Sequence, residues 1–215
     1  MRSKRKKDGV LDNESRGLYN GNTENSTAGE GGRSMESYCL FCKSGQEGLV
    51  IDLLTRGGYD AFSPLAVRNR KDEKGLRRTK ARLLPGYVFF DAEEEPDWDT
   101  IRRCSGVLKI LRYEDGSPAL HGDDLAFVKW LRRYEGMIDV SQVVKVGTKI
   151  AFVGGPLVGM EAKVLKVNKS RKTVQIALGD GDAIFRTIWC TIEYIEGNAD
   201  LDVLHQSSEQ TEERS

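Results

Sequence analysis

The cysteines are the residues whose spacing most invites a chemical interpretation. Cys39 and Cys42 form a Cys-X-X-Cys pair, a spacing used by zinc sites and redox motifs. Their neighbours are apolar and aromatic, which indicates a strand, and strand positions three apart point to opposite faces. A structural zinc would also need a second pair of ligands, whereas Cys104 and Cys190 stand alone. We therefore predict core thiols, no metal ion and no cofactor.

Few residues in this chain could combine into a catalytic site. Only two histidines occur, His121 and His205, and neither belongs to a local Ser/His/Asp or Cys/His signature. Six carboxylates lie between residues 91 and 99. Their spacing is not that of a calcium loop, so a solvated acidic turn is favoured over a metal site. The sequence predicts no catalytic residue and a binding function instead of an enzyme.

Charge is balanced over the whole chain of 215 residues but is unevenly distributed along it. Lys plus Arg and Asp plus Glu each total 33. Residues 68–82 nevertheless carry eight basic side chains, shortly before the acidic stretch 91–99, which predicts a bipolar surface. No apolar run reaches the ~18–20 residues of a membrane helix, and no apolar core follows the basic amino terminus. We therefore predict a cytoplasmic protein with reduced cysteines and no membrane partner.

The predicted secondary structure, which must position these side chains, changes near residue 140 from mixed strands and helices to strands alone. Before it, apolar periodicity predicts alternating strands and helices that build an α+β sandwich, an antiparallel sheet with helices on one side. The predicted strands are 37–42, 59–67, 84–91 and 107–111, and the predicted helices are 46–56, 98–103 and 123–134. The basic segment 68–82 is predicted to be a loop.

The second half carries short apolar runs separated by glycine-rich turns. Five strands are predicted, at 149–153, 162–167, 173–178, 184–189 and 191–195. So many short strands in so few residues close most easily into a small all-β barrel without a helix.

The domain boundaries follow from these changes in composition. Residues 1–34 are too poor in apolar side chains to fold and are predicted to be a disordered basic and polar extension. The predicted division is then a first domain at 35–135, a linker at 136–144, a barrel at 145–197 and an acidic tail at 198–215.

Five short motifs occur in order across both halves of the chain. They are Ser-Tyr-Cys-Leu-Phe at 37–41, Leu-Leu-Pro-Gly-Tyr-Val-Phe at 83–89, Cys-Ser-Gly-Val at 104–107, the glycine-rich segment 146–159, and Ile-Glu-Tyr-Ile-Glu at 192–196. As a series they resemble the NusG family of transcription elongation and antitermination factors. The compact first domain, the basic segment before Leu84 and the ending 191–196 look most like the specialised LoaP-type antiterminators.

This resemblance implies a NusG-type amino-terminal domain followed by a KOW domain, an SH3-like barrel. In the family, the first strand and the Pro-Gly-Tyr strand form an apolar depression that grips the clamp helices of RNA polymerase. Matched by position, the contact would use Tyr38, Leu84, Pro85 and Tyr87. Tyr38-Cys39 stands where the family usually has Trp-Tyr, which weakens the assignment of Tyr38.

The basic side chains have two interpretations, a solvated surface or contacts with nucleic-acid phosphates. The resemblance implies that the first domain lies beside upstream DNA and that the barrel binds a nascent RNA hairpin, which proteins recognise largely by shape. No aromatic-interleaved RNA-binding motif is present, so base stacking is not indicated. The candidate nucleic-acid-binding residues are Arg77, Arg78, Lys80, Lys163, Lys166, Lys169, Arg171, Lys172 and Arg186.

The function that the resemblance implies is that of a monomeric transcription processivity or antitermination factor. The first domain would bind RNA polymerase, and the KOW domain would recruit the protein to specific operons through nascent RNA. One alternative is a general NusG elongation factor that couples to a termination factor or a ribosome. A more distant alternative is a ribosome-associated RNA-binding protein that uses the barrel alone.

Overall fold

An antiparallel sheet of four strands lies at the centre of the first half of the molecule. The computed structural model describes residues 35–73 and 75–195, so the predicted tails, Lys74 and His205 lie outside the described residues. The elements of this half are β1 (Glu36–Cys42), α1 (Glu47–Arg56), β2 (Asp60–Phe62), β3 (Leu65–Asp72), β4 (Gly75–Arg82), β5 (Tyr87–Ala92), α2 (Trp98–Arg103), β6 (Val107–Ile110) and α3 (Gly122–Arg133). The strand order is β2-β5-β1-β6.

Both faces of this sheet are buried, and alternation along β1 sends side chains into two different apolar clusters. Tyr38, Leu40 and Cys42 pack with Val50 of α1 and Ile101 of α2. Cys39 faces the other side and packs with α3 and the second half of the chain. The expected opposite orientation of the two thiols is confirmed. The expectation that the helices share one side is wrong, because the second face of the sheet is also apolar and needs a cover of its own.

The Pro-Gly-Tyr turn before β5 is held by a buried carboxylate. Glu47, at the start of α1, accepts hydrogen bonds from the backbone N–H of Gly86 and of Gly45, both at 2.8 Å. Gly86 has a φ of +85°, and a Cβ there would lie 3.1 Å from the carbonyl oxygen of Cys42. Only glycine therefore fits this close approach between the turn and β1 without strain.

The basic segment predicted as a loop is in fact a β-hairpin. β3 and β4 pair antiparallel along their whole length, from Leu65 opposite Arg82 to Asp72 opposite Gly75. The apolar pattern did not predict these strands because most of their side chains are long and charged. Such strands are stabilised by pairing and by contacts with the rest of the fold. A third strand, β7 (Met137–Ile138), pairs parallel with β3 and makes the hairpin part of a three-stranded sheet.

A five-stranded sheet forms the second half. Its elements are β8 (Ser141–Val146), β9 (Lys149–Gly154), a 3-10 turn (Glu161–Lys163), β10 (Val164–Asn168), β11 (Thr173–Ala177) and β12 (Thr187–Tyr194), in the order β10-β11-β12-β8-β9. The predicted strands at 184–189 and 191–195 are wrong as separate elements, since the single strand β12 covers the last three residues of the first and all but Ile195 of the second. β8 begins inside the predicted linker 136–144, and it pairs parallel with the end of β12.

One apolar cluster is shared by the two halves. It contains Phe89 and Phe127 from the first half and Ile176, Phe185 and Ile192 from the second. Helices α1 and α2 cover one face of the first sheet, whereas α3 and the five-stranded half cover the other. The described residues therefore belong to one compact unit.

Glu47 makes the stability of the Pro-Gly-Tyr turn depend on pH. Burial alone would raise the pKa of its carboxyl, but hydrogen bonds from three backbone N–H groups and the nearby Arg82 guanidinium hold that pKa below its usual value. The ionised form therefore stabilises the fold above the ordinary carboxyl pKa, and this contribution is lost as the pH falls through the lowered pKa. Substitution of Glu47 by Gln should reduce the free energy of unfolding at pH 7 by about 1–3 kcal/mol, because an amide N–H then faces backbone donors.

Urea denaturation at pH 7 and near pH 2.5 measures this difference. The gap between wild type and Glu47→Gln should shrink as the pH falls through the lowered pKa of the wild-type carboxyl. The exposed Glu114→Gln is the matched control and should show no gap at either pH. An equal gap at both pH values would contradict this role for the Glu47 charge.

Candidate functional site

The predicted polymerase-contact residues occupy very different environments. Tyr38 is only 3% exposed and lies in the core under α2. Its ring stacks on Phe90 and meets Trp98 edge-on, each at 5.2 Å between centroids. Its hydroxyl donates to Glu36 at 2.6 Å, and burial, followed by this bond, raises the pKa of Tyr38. A partner could reach this ring only by displacing its neighbours.

The other three predicted contact residues are adjacent to one another at the Pro-Gly-Tyr turn. Pro85 is exposed, and Leu84 and Tyr87 are half-buried. The Tyr87 ring lies 5.2 Å from the Phe41 ring, on the neighbouring strand of the sheet. The turn thus presents a small apolar surface, and its aromatic residue faces the shared core.

Phe185 from the second half covers the Tyr87 part of this surface. Its ring meets Tyr87 edge-on at 5.4 Å and lies 5.3 Å from Phe89 and 5.6 Å from Phe127. Phe185 itself is only 5% exposed, so it fills the space between the sheet and α3. Aromatic contacts of this kind contribute about 0.5–1.5 kcal/mol each beyond their buried area. In this arrangement the aromatic part of the predicted polymerase surface is occupied by the protein itself.

A buried aspartate holds Phe185 in place. Asp124 is 1% exposed and lies on the core-facing side of α3. Its carboxylate accepts hydrogen bonds from the backbone N–H of Ile184 at 2.9 Å, that of Phe185 at 3.0 Å, and the hydroxyl of Tyr113 at 2.8 Å. Burial, and to a lesser extent the bond to Asp124, raises the pKa of Tyr113 to about 12, so this phenol stays a donor at neutral pH.

A second contact joins the β3–β4 hairpin to β12. Thr191 donates its hydroxyl to the carbonyl of Val67 at 2.7 Å, and Arg68 donates to the carbonyl of Trp189. Beside them, the predicted nucleic-acid residue Arg78 forms an exposed ion pair with Glu193 at 2.7 Å. The basic hairpin therefore lies against β12, and two of its cations, Arg68 and Arg78, contact that strand.

The nine predicted nucleic-acid residues are all exposed, but the six in the second half do not form one cluster. Lys163 borders a small cavity of about 80 Å³ beside Trp130, and Lys169 lines a cavity of about 590 Å³. Lys166 and Arg171 line a groove of about 620 Å³ beside Trp189. Lys172 occupies the turn before β11. The guanidinium of Arg186 donates to the carbonyl of Gly181 at 2.9 Å.

Asp97 and His121, two of the residues considered for metal binding or catalysis, make local structural contacts. Asp97 caps α2 by accepting from the N–H of Thr100 at 3.0 Å and from its hydroxyl at 2.6 Å. These bonds lower the pKa of Asp97. His121 stacks on Tyr113 at 3.8 Å. Within the described part of the chain, no three His, Cys, Asp or Glu side chains are grouped as a metal site requires.

The apolar pattern of the sequence did not reveal three residues that the structure brings into these surfaces, Asp124, Phe185 and Trp189. Asp124 had one signal, because it is a charged residue on the apolar stripe of a predicted helix. Phe185 lies in a segment that the sequence predicts as a strand of the barrel. Trp189 alternates with the buried Ile188 and Cys190, which places it on the outer face of β12.

Asp124 should control how tightly the second half covers the first. Substitution by Asn replaces one acceptor oxygen with an N–H₂ group, so at least one of the two backbone donors loses its partner. Hydrogen exchange at the amides of Ile184 and Phe185 should accelerate by about 10- to 150-fold, since hydrogen bonds to charged groups contribute about 1.5–3 kcal/mol.

NMR-detected hydrogen exchange gives this measurement residue by residue. Asp123→Asn, a charge change on the same turn of α3 but at an exposed position, is the control and should leave both amides protected. Unchanged protection in Asp124→Asn would show that the carboxylate does not hold the cover.

No helix within residues 35–73 and 75–195 has the length and apolar character to cross a membrane.

Comparison with known proteins bears on the first half of the chain. Residues 35–125 match the family described as "NusG: Transcription termination factor nusG". A solved structure described as "Domain interaction in Thermotoga maritima NusG" is similar over 74% of this chain and 93% of its own, with 17% sequence identity and a TM-score of 0.44. The curated proteins include no significant match to the sequence. Residues 35–125 thus carry a domain of the NusG family.

Proposed function

We propose that this protein is a transcription processivity factor that binds RNA polymerase through its first half and nascent RNA through its second. The observation that carries the proposal is the NusG family domain at residues 35–125, since that family consists of transcription factors. The exposed cations of the second half support the RNA contact.

The polymerase contact is proposed at the Pro-Gly-Tyr turn. Leu84, Pro85 and Tyr87 lie together there, and aromatic residues tend to dominate the energetics of interfaces. Phe185 occupies the same apolar surface, so full use of the Tyr87 ring by a pair of clamp helices requires that Phe185 move away. The buried Tyr38 would contribute by supporting the sheet more than by direct contact.

The RNA contact would supply recruitment to particular operons. Lys163, Lys166, Lys169, Arg171, Lys172 and Arg186 are all exposed and would meet phosphates of a structured RNA. On the hairpin, Arg77, Arg78 and Lys80 would meet phosphates of upstream DNA. Two weak sites on one chain reinforce each other, because binding at one raises the effective concentration at the other.

A general NusG-type elongation factor is the second candidate. In such a factor the KOW domain docks a termination factor or a ribosomal protein near a strand end. The corresponding region here, 179–182, contains two glycines and two aspartates with no aromatic side chain. It also lies directly before Ile184 and Phe185, whose backbone is bound to α3. Both features favour recruitment by RNA.

Transcription in vitro past a terminator tests the proposed function. Addition of the protein should increase readthrough, and Tyr87→Ala should lose at least about tenfold in polymerase affinity because an aromatic anchor is removed. Leu108→Ala, at a 63% exposed apolar residue of β6, is the matched control. Failure of the wild-type protein to bind core polymerase at low ionic strength would end the proposal, and unchanged affinity of Tyr87→Ala would remove Tyr87 from the interface.

The choice of template separates the candidate functions. Readthrough confined to templates that carry a leader hairpin would identify the specialised factor. A uniform effect on every template would identify the general one. Binding to ribosomes without any effect on transcription would identify the more distant alternative.

Reversal of three charges tests the RNA contact. Lys169, Arg171 and Lys172, all changed to Glu, should abolish binding of the leader hairpin and leave polymerase binding intact, because these side chains lie on the turn between β10 and β11, away from the Pro-Gly-Tyr turn. Gel-shift titrations at matched salt give the measurement. Equal hairpin affinity would refute the assignment.

A further inference from the structure

The outer face of the β10-β11-β12 sheet carries a groove that differs from the other basic surfaces. Its lining combines two cations, three neutral polar side chains and one tryptophan, namely Lys166, Arg171, Asn168, Ser170, Thr173 and Trp189. Its volume is about 620 Å³. None of these lining residues is acidic, so the groove suits an anionic ligand with an aromatic component.

Trp189 is the unusual member of this set. Trp98 contacts the rings of Tyr38 and Phe90, and Trp130 contacts those of Phe127 and Tyr134. Among the described residues, Trp189 has no ring partner, and it is 37% exposed. A large aromatic side chain on an outer sheet face, with part of its ring exposed, is a platform on which a nucleobase can stack.

The backbone holds this platform firmly. Trp189 pairs with Gln175 in the middle of β11–β12, and its carbonyl accepts a hydrogen bond from Arg68 of the hairpin. On either side along β12, Ile188 and Cys190 are buried in the core. The backbone position of Trp189 and the sheet face that carries its ring are therefore fixed before any ligand binds, which lowers part of the entropic cost of stacking.

The two cations both lie on the β10 side of the tryptophan, Lys166 on that strand and Arg171 in the turn after it. Lys166 pairs with Gln175, which in turn pairs with Trp189, so Lys166 lies two strands, or about 10 Å, from the tryptophan. Arg171 projects from the turn that follows β10. Asn168 holds this turn by accepting from the N–H of Arg171 at 3.0 Å and from the hydroxyl of Ser170 at 3.1 Å.

The nearest acidic residue on the same face of β12 is Glu193, and its charge is balanced by an ion pair. Glu193 is four residues beyond Trp189 on β12 and is already paired with Arg78 at 2.7 Å. Trp189 lies on β12, which is paired on both sides, so a peptide strand could add beside the groove only at β10, the edge strand on that side of the sheet. The lining beside Trp189 offers one ring and two cations, which favours stacking and phosphate contacts, and a single-stranded nucleic acid provides both.

We propose that this groove binds an unpaired RNA segment, with one base stacked on Trp189 and the flanking phosphates on Lys166 and Arg171. The inference rests on the proposed RNA contact and deepens it: the second half would recognise unpaired nucleotides, such as those of a hairpin loop, as well as paired ones. It departs from the expectation of the sequence, which contains no aromatic-interleaved RNA-binding motif.

Fluorescence anisotropy with three labelled probes tests the inference on the full chain. The probes are a twelve-nucleotide single-stranded RNA of mixed sequence, the same sequence as DNA, and the fully paired RNA duplex. Trp189→Ala should weaken binding of the single-stranded RNA by about 5- to 150-fold, because stacking of one base is lost. Trp189→Phe should retain most of the affinity, and the duplex should bind Trp189→Ala as it binds wild type.

Two further variants complete the design. Val158→Ala removes a 55% exposed apolar side chain elsewhere in the second half and should have no effect. Lys166→Gln should reduce the slope of log affinity against log salt concentration by about one phosphate contact. An unchanged slope would show that Lys166 does not contact a phosphate. Circular dichroism melts of all variants identify any loss of folding, and Trp189→Phe keeps the test valid if Trp189→Ala is unstable.

The outcomes separate this inference from the proposed function. Equal affinity of wild type and Trp189→Ala for single-stranded RNA would overturn the stacking site, while duplex binding would leave the proposed RNA contact standing. Absence of binding to every RNA probe would overturn both. If Trp189→Ala loses affinity for single-stranded RNA but not for DNA, the site is one for RNA. If it loses affinity equally for both, the same stacking site is supported, with displaced DNA as a second source of ligand.

Discussion

The burial of both faces of the first sheet is the constraint on which the rest of the structure depends. Helices α1 and α2 cover one face. The other face carries Phe89 and Cys39. Residues of α3 cover it together with Phe185 and its neighbours from the second half, which complete the core. Removal of that cover would expose a contiguous aromatic surface to water, which is costly unless another apolar partner replaces it.

This constraint connects the fold to the proposed function. An aromatic surface that must be covered can bind a partner only in exchange for its present cover, so polymerase and Phe185 would compete for the same side of Tyr87. Asp124 adds a polar component to that competition, because its carboxylate satisfies two backbone donors of the second half. These contacts set how readily the surface opens, since departure of the second half returns both donors and the carboxylate to water.

The basic surfaces follow from the same arrangement. Because the hairpin packs on β12, Arg68 and Arg78 of the first half contact the strand that carries Trp189, and Lys166 and Arg171 of the second half line the groove beside it. The zero net charge of the chain hides this local concentration. Binding of nucleic acid at this face would be strongly dependent on salt, whereas the aromatic contact near Tyr87 would be much less so.

Local patterns in the sequence determined the helices, most strands of the first half and the opposite orientation of Cys39 and Cys42, because each depends on a short period of apolar residues. They also supported the match of the first half to a family. The hairpin in 68–82, the strand at 141–146 and the single long β12 required tertiary pairing, since their own alternation is weak. Only the folded chain decided that Tyr38 is buried, that Asp124 binds the backbone at Phe185 and that Trp189 shares a groove with Lys166 and Arg171. Each of these results from contacts between elements that the local pattern does not specify.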